Sequence, residues 1–385
     1  MSHPYRPEPP RDEAEAARAW LAAACDPSAF RAEQDRLRHV WTFLGFVSDA
    51  ARDGDWFRAS LGGRSVFVQR SGEDLRGFEN RCAHRGFPIR TEDRGHGPIV
   101  CGLHHWRYDD EGRATGIPLS RPLFGGSPPE IDARLEPLEI SACGDFVFGR
   151  FASEPGEELE SFLGPSAAIL KSLSSGSAGS RRWVREIRCN WRLFTHLTLD
   201  DYHLAAIHPD SLGKHGYLNP KYVHYERFGA HSVYCFSQQD WTLDGMSRAC
   251  AERSWNSADY TTFQLFPQLT VLHISYGIIF RWVGVVQLTP LAFDRTRLTY
   301  RLYPLDYKSW KPWHSFRRRS IGWLADLVMW RSSMKVTAQD IAAAERLQET
   351  AAQMDGYPTF GNYERRIDWF EETYRAVMGK EPPAE

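Results

Sequence analysis

The stretch "CAHRGFPIRTEDRGHGPIVCGLHHW", Cys82 to Trp106, carries two cysteines and four histidines. They include two tight pairs, Cys82-x-His84 and Cys101-x2-His104, with sixteen residues between His84 and Cys101. Thiolate and imidazole are both metal donors, and two such pairs on two turns can close on one centre. Two thiolates with two imidazoles suit tetrahedral zinc. They equally suit a two-iron, two-sulfur cluster with cysteines on one iron and histidines on the other. Ligand order favours the cluster. Each pair mixes Cys with His and so reaches both irons, whereas zinc modules usually pair like with like.

A second group lies in "LDDYHLAAIHP", where His203 and His208 are five apart and Asp200 stands three before His203. Helix positions four apart share a face. A spacing of five implies a local break or bulge, which metal-binding helices can carry. Two imidazoles with one carboxylate from elsewhere make the facial triad of non-haem iron(II) oxygenases, which leaves positions open for dioxygen. Further on, "AQDIAAAERLQ" offers Asp340, then Glu345 and Gln348.

These motifs together resemble the Rieske non-haem iron oxygenases, the large (alpha) subunits of the aromatic-ring-hydroxylating dioxygenase family. "CAHRG" followed by C-x2-H-x-W-x-Y-x3-G resembles the Rieske signature, and the resemblance extends back through "VWTFLGFVSDAARDGDWFRASLGGRSVFVQR". The second phrase resembles the family's Asp/Glu-x2-His-x4-His motif. By that resemblance Cys82, His84, Cys101 and His104 hold a Rieske [2Fe-2S] cluster. His203, His208 and Asp340 hold a mononuclear non-haem Fe(II), with Glu345 a weaker alternative to Asp340. Asp200 is the bridging carboxylate between His203 and a cluster histidine of the adjacent subunit; Asp201 is its neighbour but lacks the spacing. Three departures stand out. Gly102-Leu103 replaces the usual Pro-Tyr, His105 replaces the usual Gly, and Thr195, His196 and Leu197 stand where the family often has Glu-Asn. His105 is expected at the surface, and His196 as an ordered histidine that does not ligate the iron.

The elements that must position these residues change texture along the chain. "EAEAARAWLAAAC" from Glu13 to Cys25 reads as a helix. From Val40 to Ala152, short β-type runs alternate with turn signals, among them the hairpin turn "YDDEG". "KSLSSGSAGSRR" from Lys171 to Arg182 reads as a mobile loop or linker. Helical periodicity covers Trp191 to Pro209, then strand-like segments, then a helix in "MKVTAQDIAAAERLQETAAQM". The fold class is therefore α+β. It comprises an N-terminal helical segment (1–36), an all-β Rieske domain (37–155) and a catalytic domain (156–385). By the resemblance the last is a helix-grip domain, an antiparallel sheet with helices.

Composition sets the remaining bounds. The formal net charge of -2 gives no electrostatic case for nucleic acid or an anionic membrane. The N-terminus has no secretory pattern, and the apolar run Ile321 to Trp330 is too short to span a bilayer, so a cytoplasmic protein is expected. Cys25, Cys143, Cys189, Cys235 and Cys250 are expected to be reduced, packed thiols. The 13% aromatic content suits an apolar pocket; Phe194, Tyr202 and Phe263 are candidate lining residues, with core packing the alternative for each.

The activity implied is that of a terminal oxygenase acting on a small organic substrate, aromatic or amine, by hydroxylation or demethylation with O2. The chain shows no dinucleotide fingerprint and no plant-type ferredoxin cysteine array. Electrons must come from a separate NAD(P)H-dependent reductase, with or without a ferredoxin, and the basic run Ser315 to Trp323 is a candidate docking surface, a solvated face being the plainer reading. The resemblance implies a head-to-tail homotrimer, in which electrons pass from His104 of one subunit to Asp200 and His203 of the next. The competing reading is a non-enzymatic Rieske electron carrier with a binding domain, which predicts an incomplete triad.

Overall fold

The computed structural model describes residues 26–152, 156–174, 176–212, 219–255, 259–276, 280–305, 312–351, 353 and 360–379, with side chains undescribed at 276 and 312–319. The helix expected at Glu13–Cys25 lies outside the described residues, as do the side chains of the basic run through residue 319. The first described helix is α1, Pro27–Leu37. The described residues divide into two compact units, one of residues 34–159 and the other of residues 160–379 with residues 26–33.

The smaller unit is antiparallel β. Its larger sheet runs in the order β1-β10-β9-β4-β3-β2-β5. These strands are β1 (Thr42–Phe46), β2 (Asp55–Leu61), β3 (Arg64–Ser71), β4 (Asp74–Glu79), β5 (Arg94–His96), β9 (Pro137–Cys143) and β10 (Phe146–Arg150). A small sheet pairs β6 (Ile99–Val100), β7 (Arg107–Tyr108) and β8 (Ala114–Gly116). The hairpin expected at "YDDEG" joins β7 to β8. Asp109 Oδ1 accepts from the backbone N–H of Glu111 and Arg113, and Gly112 supplies the left-handed residue with φ 75°. Phe67, Phe78, Ile89, Ile99, Trp106 and Tyr108 form one buried core under the two Cys/His turns. Burying each such side chain is worth about 1.5–3 kcal/mol.

The larger unit is built on a second antiparallel sheet, ordered β11-β17-β16-β15-β14-β13-β12. Its strands are β11 (Arg181–Ile187), β12 (Val223–Phe228), β13 (His231–Phe236), β14 (Tyr260–Leu265), β15 (Leu269–Tyr276), β16 (Phe280–Ala292) and β17 (Arg295–Pro304). Helices α2 (Trp191–Leu199) and α3 (Leu204–Ile207) lie between β11 and β12, and α4 (Pro312–Ala351) and α5 (Arg365–Met378) follow the last strand. Thr337, Ala344 and Ala351 recur on one face of α4 and are buried. Among the described residues no helix is long and apolar enough to cross a membrane.

One expectation is corrected here. The Ser/Gly-rich run at 171–182 is not a long linker in its described residues. A helix runs from Ser166 to Leu173, a 3-10 turn covers Ser177–Gly179, and β11 starts at Arg181. Leu170 and Leu173 are fully buried, and Tyr303 donates its hydroxyl to Leu173 O at 2.9 Å. The small residues sit between anchored apolar ones, so composition alone misjudges the segment. Cys143, Cys189, Cys235 and Cys250 are buried thiols in no disulfide, as expected; Cys25 lies outside the described residues.

Candidate functional site

The two Cys/His turns of the smaller unit share one backbone plan. In the first, Cys82 N–H donates to Phe87 O and Gly86 N–H to Cys82 O, both at 2.9 Å. In the second, Cys101 N–H donates to Trp106 O at 2.9 Å and His105 N–H to Cys101 O at 3.0 Å. The fifth residue of each six-residue turn takes a left-handed conformation, Gly86 with φ 74° and His105 with φ 59°. His105 therefore fills a position that favours glycine, and its side chain is exposed. Both sulfurs are buried, while His84 is half-buried and His104 exposed. The two imidazole rings lie 4.8 Å apart, centroid to centroid.

The surroundings hold these donors in place. Trp106 stacks on His84 at 4.9 Å and 5°, and Phe124 meets His84 edge-on at 5.6 Å. Cys82 Sγ lies 3.0 Å from the hydroxyl of Tyr108, which also accepts from Ala83 N–H at 3.2 Å. Burial raises the Cys82 thiol, so charge from a bound cation is what would hold it as a thiolate. Burial, with His104 and Arg85 nearby, holds the His84 ring below its usual range, in the neutral form a ligand needs.

In the larger unit the helical stretch from Trp191 to Pro209 carries the break that the five-residue spacing implied, and it falls at Asp200. Asn190 caps α2 by accepting from Arg192 N–H at 2.9 Å. At the other end Asp200 turns extended, with φ -91° and ψ 111°. Its Oδ1 accepts from Tyr202 N–H at 2.7 Å and His203 N–H at 3.2 Å. That local turn ends α2 and starts α3, and it lets two histidines spaced by five converge. His203 and His208 rings come within 5.3 Å.

Asp340 arrives from α4. His208 Nε2 lies 2.8 Å and His203 Nε2 3.5 Å from Asp340 Oδ1. One donor atom from each of the three lies within 4.8 Å of the others. His208 Nε2 and Asp340 Oδ1 are buried and make no properly directed hydrogen bond despite their closeness. Ligand atoms that face a common cation have this geometry, so the residues fit a mononuclear metal. Burial works against a charged His203, but the nearby carboxylates of Asp200 and Asp340 outweigh it and hold its pKa up at about 10. The cluster carries an excess of negative charge that a dication would take. Asp200 Oδ2 stands 3.4 Å from His203 Nδ1, on the far side of the ring from Asp340.

The rest of the Asp340 helix motif plays another part. Glu345 accepts from Arg188 N–H at 3.0 Å, and Gln348 Oε1 from Asn190 N–H at 2.8 Å. Glu345 thus lies outside the metal group, and α4 grips the chain where it enters α2. His196 is packed: its Nε2 lies 2.8 Å from Glu371 Oε1, and Glu371 Oε2 accepts from Arg192 at 2.6 Å. Trp191 and Tyr374 both donate to Glu33, at 2.7 and 2.6 Å. Sequence reasoning missed Glu371 and Glu33, because only folding reveals that their partners are buried.

His203, His208 and Asp340 line a cavity of about 810 Å³. Phe194, Tyr260, Phe280, Trp282, Tyr300 and Met329 supply much of its wall. The described lining residues include no Lys or Arg. Of the aromatic candidates, Phe194 lines the cavity. Phe263 is core, fully buried. Tyr202 is 68% exposed and is not part of this cavity's wall, because the Asp200 turn directs it outward.

Comparison with known proteins places these features. A family model described as ring hydroxylating alpha subunit (catalytic domain) matches residues 177–380, and one described as Rieske [2Fe-2S] domain matches residues 40–129. A Comamonas terephthalate 1,2-dioxygenase terminal oxygenase component, subunit alpha 2, is 31% identical over 46% of this chain and 45% of that relative. The alpha subunit of a Sphingobium N,N-dimethyl phenylurea N-demethylase is 28% identical over 48% of this chain and 42% of the relative. The chain spans about half the length of the curated relatives it matches. Among solved structures, naphthalene 1,2-dioxygenase from Rhodococcus bound to indole aligns with TM-score 0.71 at 18% identity, covering 94% of this chain and 93% of that one. A quaternary ammonium Rieske monooxygenase in complex with an inhibitor aligns with TM-score 0.72 at 17% identity, covering 95% and 98%. Such likeness at low identity speaks to the fold.

Proposed function

The chain belongs to the ring-hydroxylating alpha-subunit family of Rieske oxygenases, and from that premise we propose that it is a terminal oxygenase component. It hydroxylates or demethylates a small organic substrate with O2 and with electrons from a separate NAD(P)H-dependent reductase, with or without a ferredoxin. Cys82, His84, Cys101 and His104 hold the [2Fe-2S] cluster; His203, His208 and Asp340 hold the mononuclear ferrous ion. When bound, these groups supply one-electron transfer and a coordination site where dioxygen can be reduced.

The observation that carries this reading is the convergence of two imidazoles and one carboxylate on the wall of an apolar cavity. This chain's residues have clear tasks there. Asp200 Oδ2 faces His203 Nδ1, so Nε2 is the nitrogen turned to the metal, and Asp200 Oδ1 fixes the turn between α2 and α3 through the backbone N–H groups it accepts from. The aromatic wall binds substrate and excludes water. A carboxylate substrate would find no Lys or Arg among the described lining residues, so an uncharged aromatic or an amine suits the cavity better. A cytoplasmic homotrimer, with cluster and iron of adjacent subunits cooperating, completes the proposal.

The test is anaerobic purification followed by metal and sulfide counting, with electron paramagnetic resonance of the dithionite-reduced protein. A low-average-g Rieske signal with about three irons and two acid-labile sulfides per chain supports both sites. About two irons with the same signal would leave an electron carrier, and a colourless zinc protein would sink the reading.

A further inference from the structure

The His203 ring has its Nδ1 turned to Asp200 Oδ2 at 3.4 Å, a neighbour visible in the motif. The His208 ring has a partner of a different kind. Its Nδ1 lies 3.0 Å from Gln339 Oε1, the residue just before Asp340 on α4. Successive helix residues point about 100° apart. Asp340 therefore reaches the cavity wall while Gln339, which is not among its lining residues, passes behind the His208 ring. The His208 side chain is fully buried, so no water competes for that nitrogen.

We propose that Gln339 is the positioning residue of His208: its amide oxygen keeps the proton on Nδ1 and so presents Nε2 as the metal-binding nitrogen. The inference rests on reading His203, His208 and Asp340 as the iron site. The opposite amide orientation would place the proton on Nε2 and exclude it as a ligand, so the function of the site fixes the orientation of the amide. One turn of α4 then supplies both a ligand and the holder of another ligand. The amide also adds no charge. Asp340 and Asp200 already bring two carboxylates to the site, matching a dication, and a neutral acceptor orients His208 without adding a third.

The test uses the full-length protein with its cluster intact and the mononuclear iron removed by mild chelation. Ferrous ion binding is measured by anaerobic equilibrium dialysis on wild type, Gln339→Met, Gln339→Glu and Asp340→Ala, with cluster absorbance and thermal midpoint as controls. Losing an outer hydrogen-bond partner of a ligating histidine costs roughly 10–100-fold in metal affinity, and that loss is expected for Gln339→Met at unchanged cluster absorbance. Gln339→Glu keeps an acceptor at the same reach and is expected to bind at least as tightly as wild type. Wild-type affinity in Gln339→Met, beside loss in Asp340→Ala, would overturn the proposal and leave the iron site standing. Loss of affinity in Gln339→Glu would also overturn it, even if Gln339→Met proved unstable. Wild-type affinity in Asp340→Ala would remove the iron site and the proposal with it.

Discussion

The Cys82–Phe87 and Cys101–Trp106 turns close on their own backbones, each with hydrogen bonds inside six residues, while the His203, His208 and Asp340 group has no such local frame. Its histidines are aimed by a helix break at Asp200, and its carboxylate by a helix that meets α2 through Glu345 and Gln348. The first site is stable if two turns form on a small β core. The second is stable only if the ends of a long chain segment pack correctly. Damage to the larger unit's interior should therefore empty the second site and leave the first.

Ligand removal gives the largest expected effect. Cys101→Ser should abolish the cluster's visible absorbance while the mononuclear iron stays; Asp340→Ala should do the reverse. Metal analysis with absorbance on both variants checks this, and joint loss in either variant would show that the sites are not independent.

The interior of the larger unit comes next. Arg192 and Glu371 are a fully buried pair, and His196 shares the carboxylate. Burial alone would raise Glu371, but Arg192, then His196, holds it down at about 2. Glu371→Ala removes the carboxylate that the buried Arg192 pairs with, at an expected cost of about 3–5 kcal/mol. Denaturant unfolding followed by tryptophan fluorescence measures it, with cluster absorbance persisting to higher denaturant. A loss under about 1 kcal/mol would mean the pair is replaceable.

Acid should separate the sites as well. His231 is buried and neutral, its Nδ1 accepting from Phe266 N–H at 3.0 Å and its Nε2 donating to Phe162 O at 2.8 Å. Burial holds its pKa down at about 4, from 6.5 in the unfolded chain. A depressed value means the folded state binds the proton later than the unfolded one. The contribution is fully present above pH 6.5 and is lost as pH falls toward 4. It amounts to about 3 kcal/mol at most. Near-UV circular dichroism of the larger unit and its iron should go before cluster absorbance fades in a pH series from 7 downward; the reverse order would contradict the assignment.

The smallest expected effects compare the two turns with each other. His105→Gly removes a side chain from a left-handed position and is expected to raise stability by up to about 1 kcal/mol, after glycine's added chain entropy. Gly86→Ala should lower it by about 1–2 kcal/mol. Its new Cβ would meet only the Arg81 side chain, Cγ at 3.7 Å and Cδ at 3.8 Å, so the penalty is backbone conformation and not a clash. Thermal loss of cluster absorbance reads both, and equal shifts of the same sign would refute the shared backbone plan.

Much of this architecture was legible along the chain. The Cys/His pairs, the hairpin at Asp109–Gly112 and the alternation of strands with turns from β1 to β10 all depend on residues close in sequence, where spacing and turn chemistry act directly. The grouping of His203 and His208 was suggested by their spacing, though the break was an Asp200 turn that ends one helix and begins another. What the sequence could not decide was everything set by packing between distant segments. Glu345 carries the same carboxylate as Asp340, yet it binds Arg188 because it lies about a turn and a half further along α4. His196 resembles a ligand by type but pairs with Glu371 on α5. Gln339 has no motif at all, and its role depends on which nitrogen of His208 faces it. Local patterns determined which donors exist and how the turns carry them. Tertiary structure decided which donors share a cavity and which are neutralised in the core, because a buried charge or proton takes its meaning from the partner that packing brings to it.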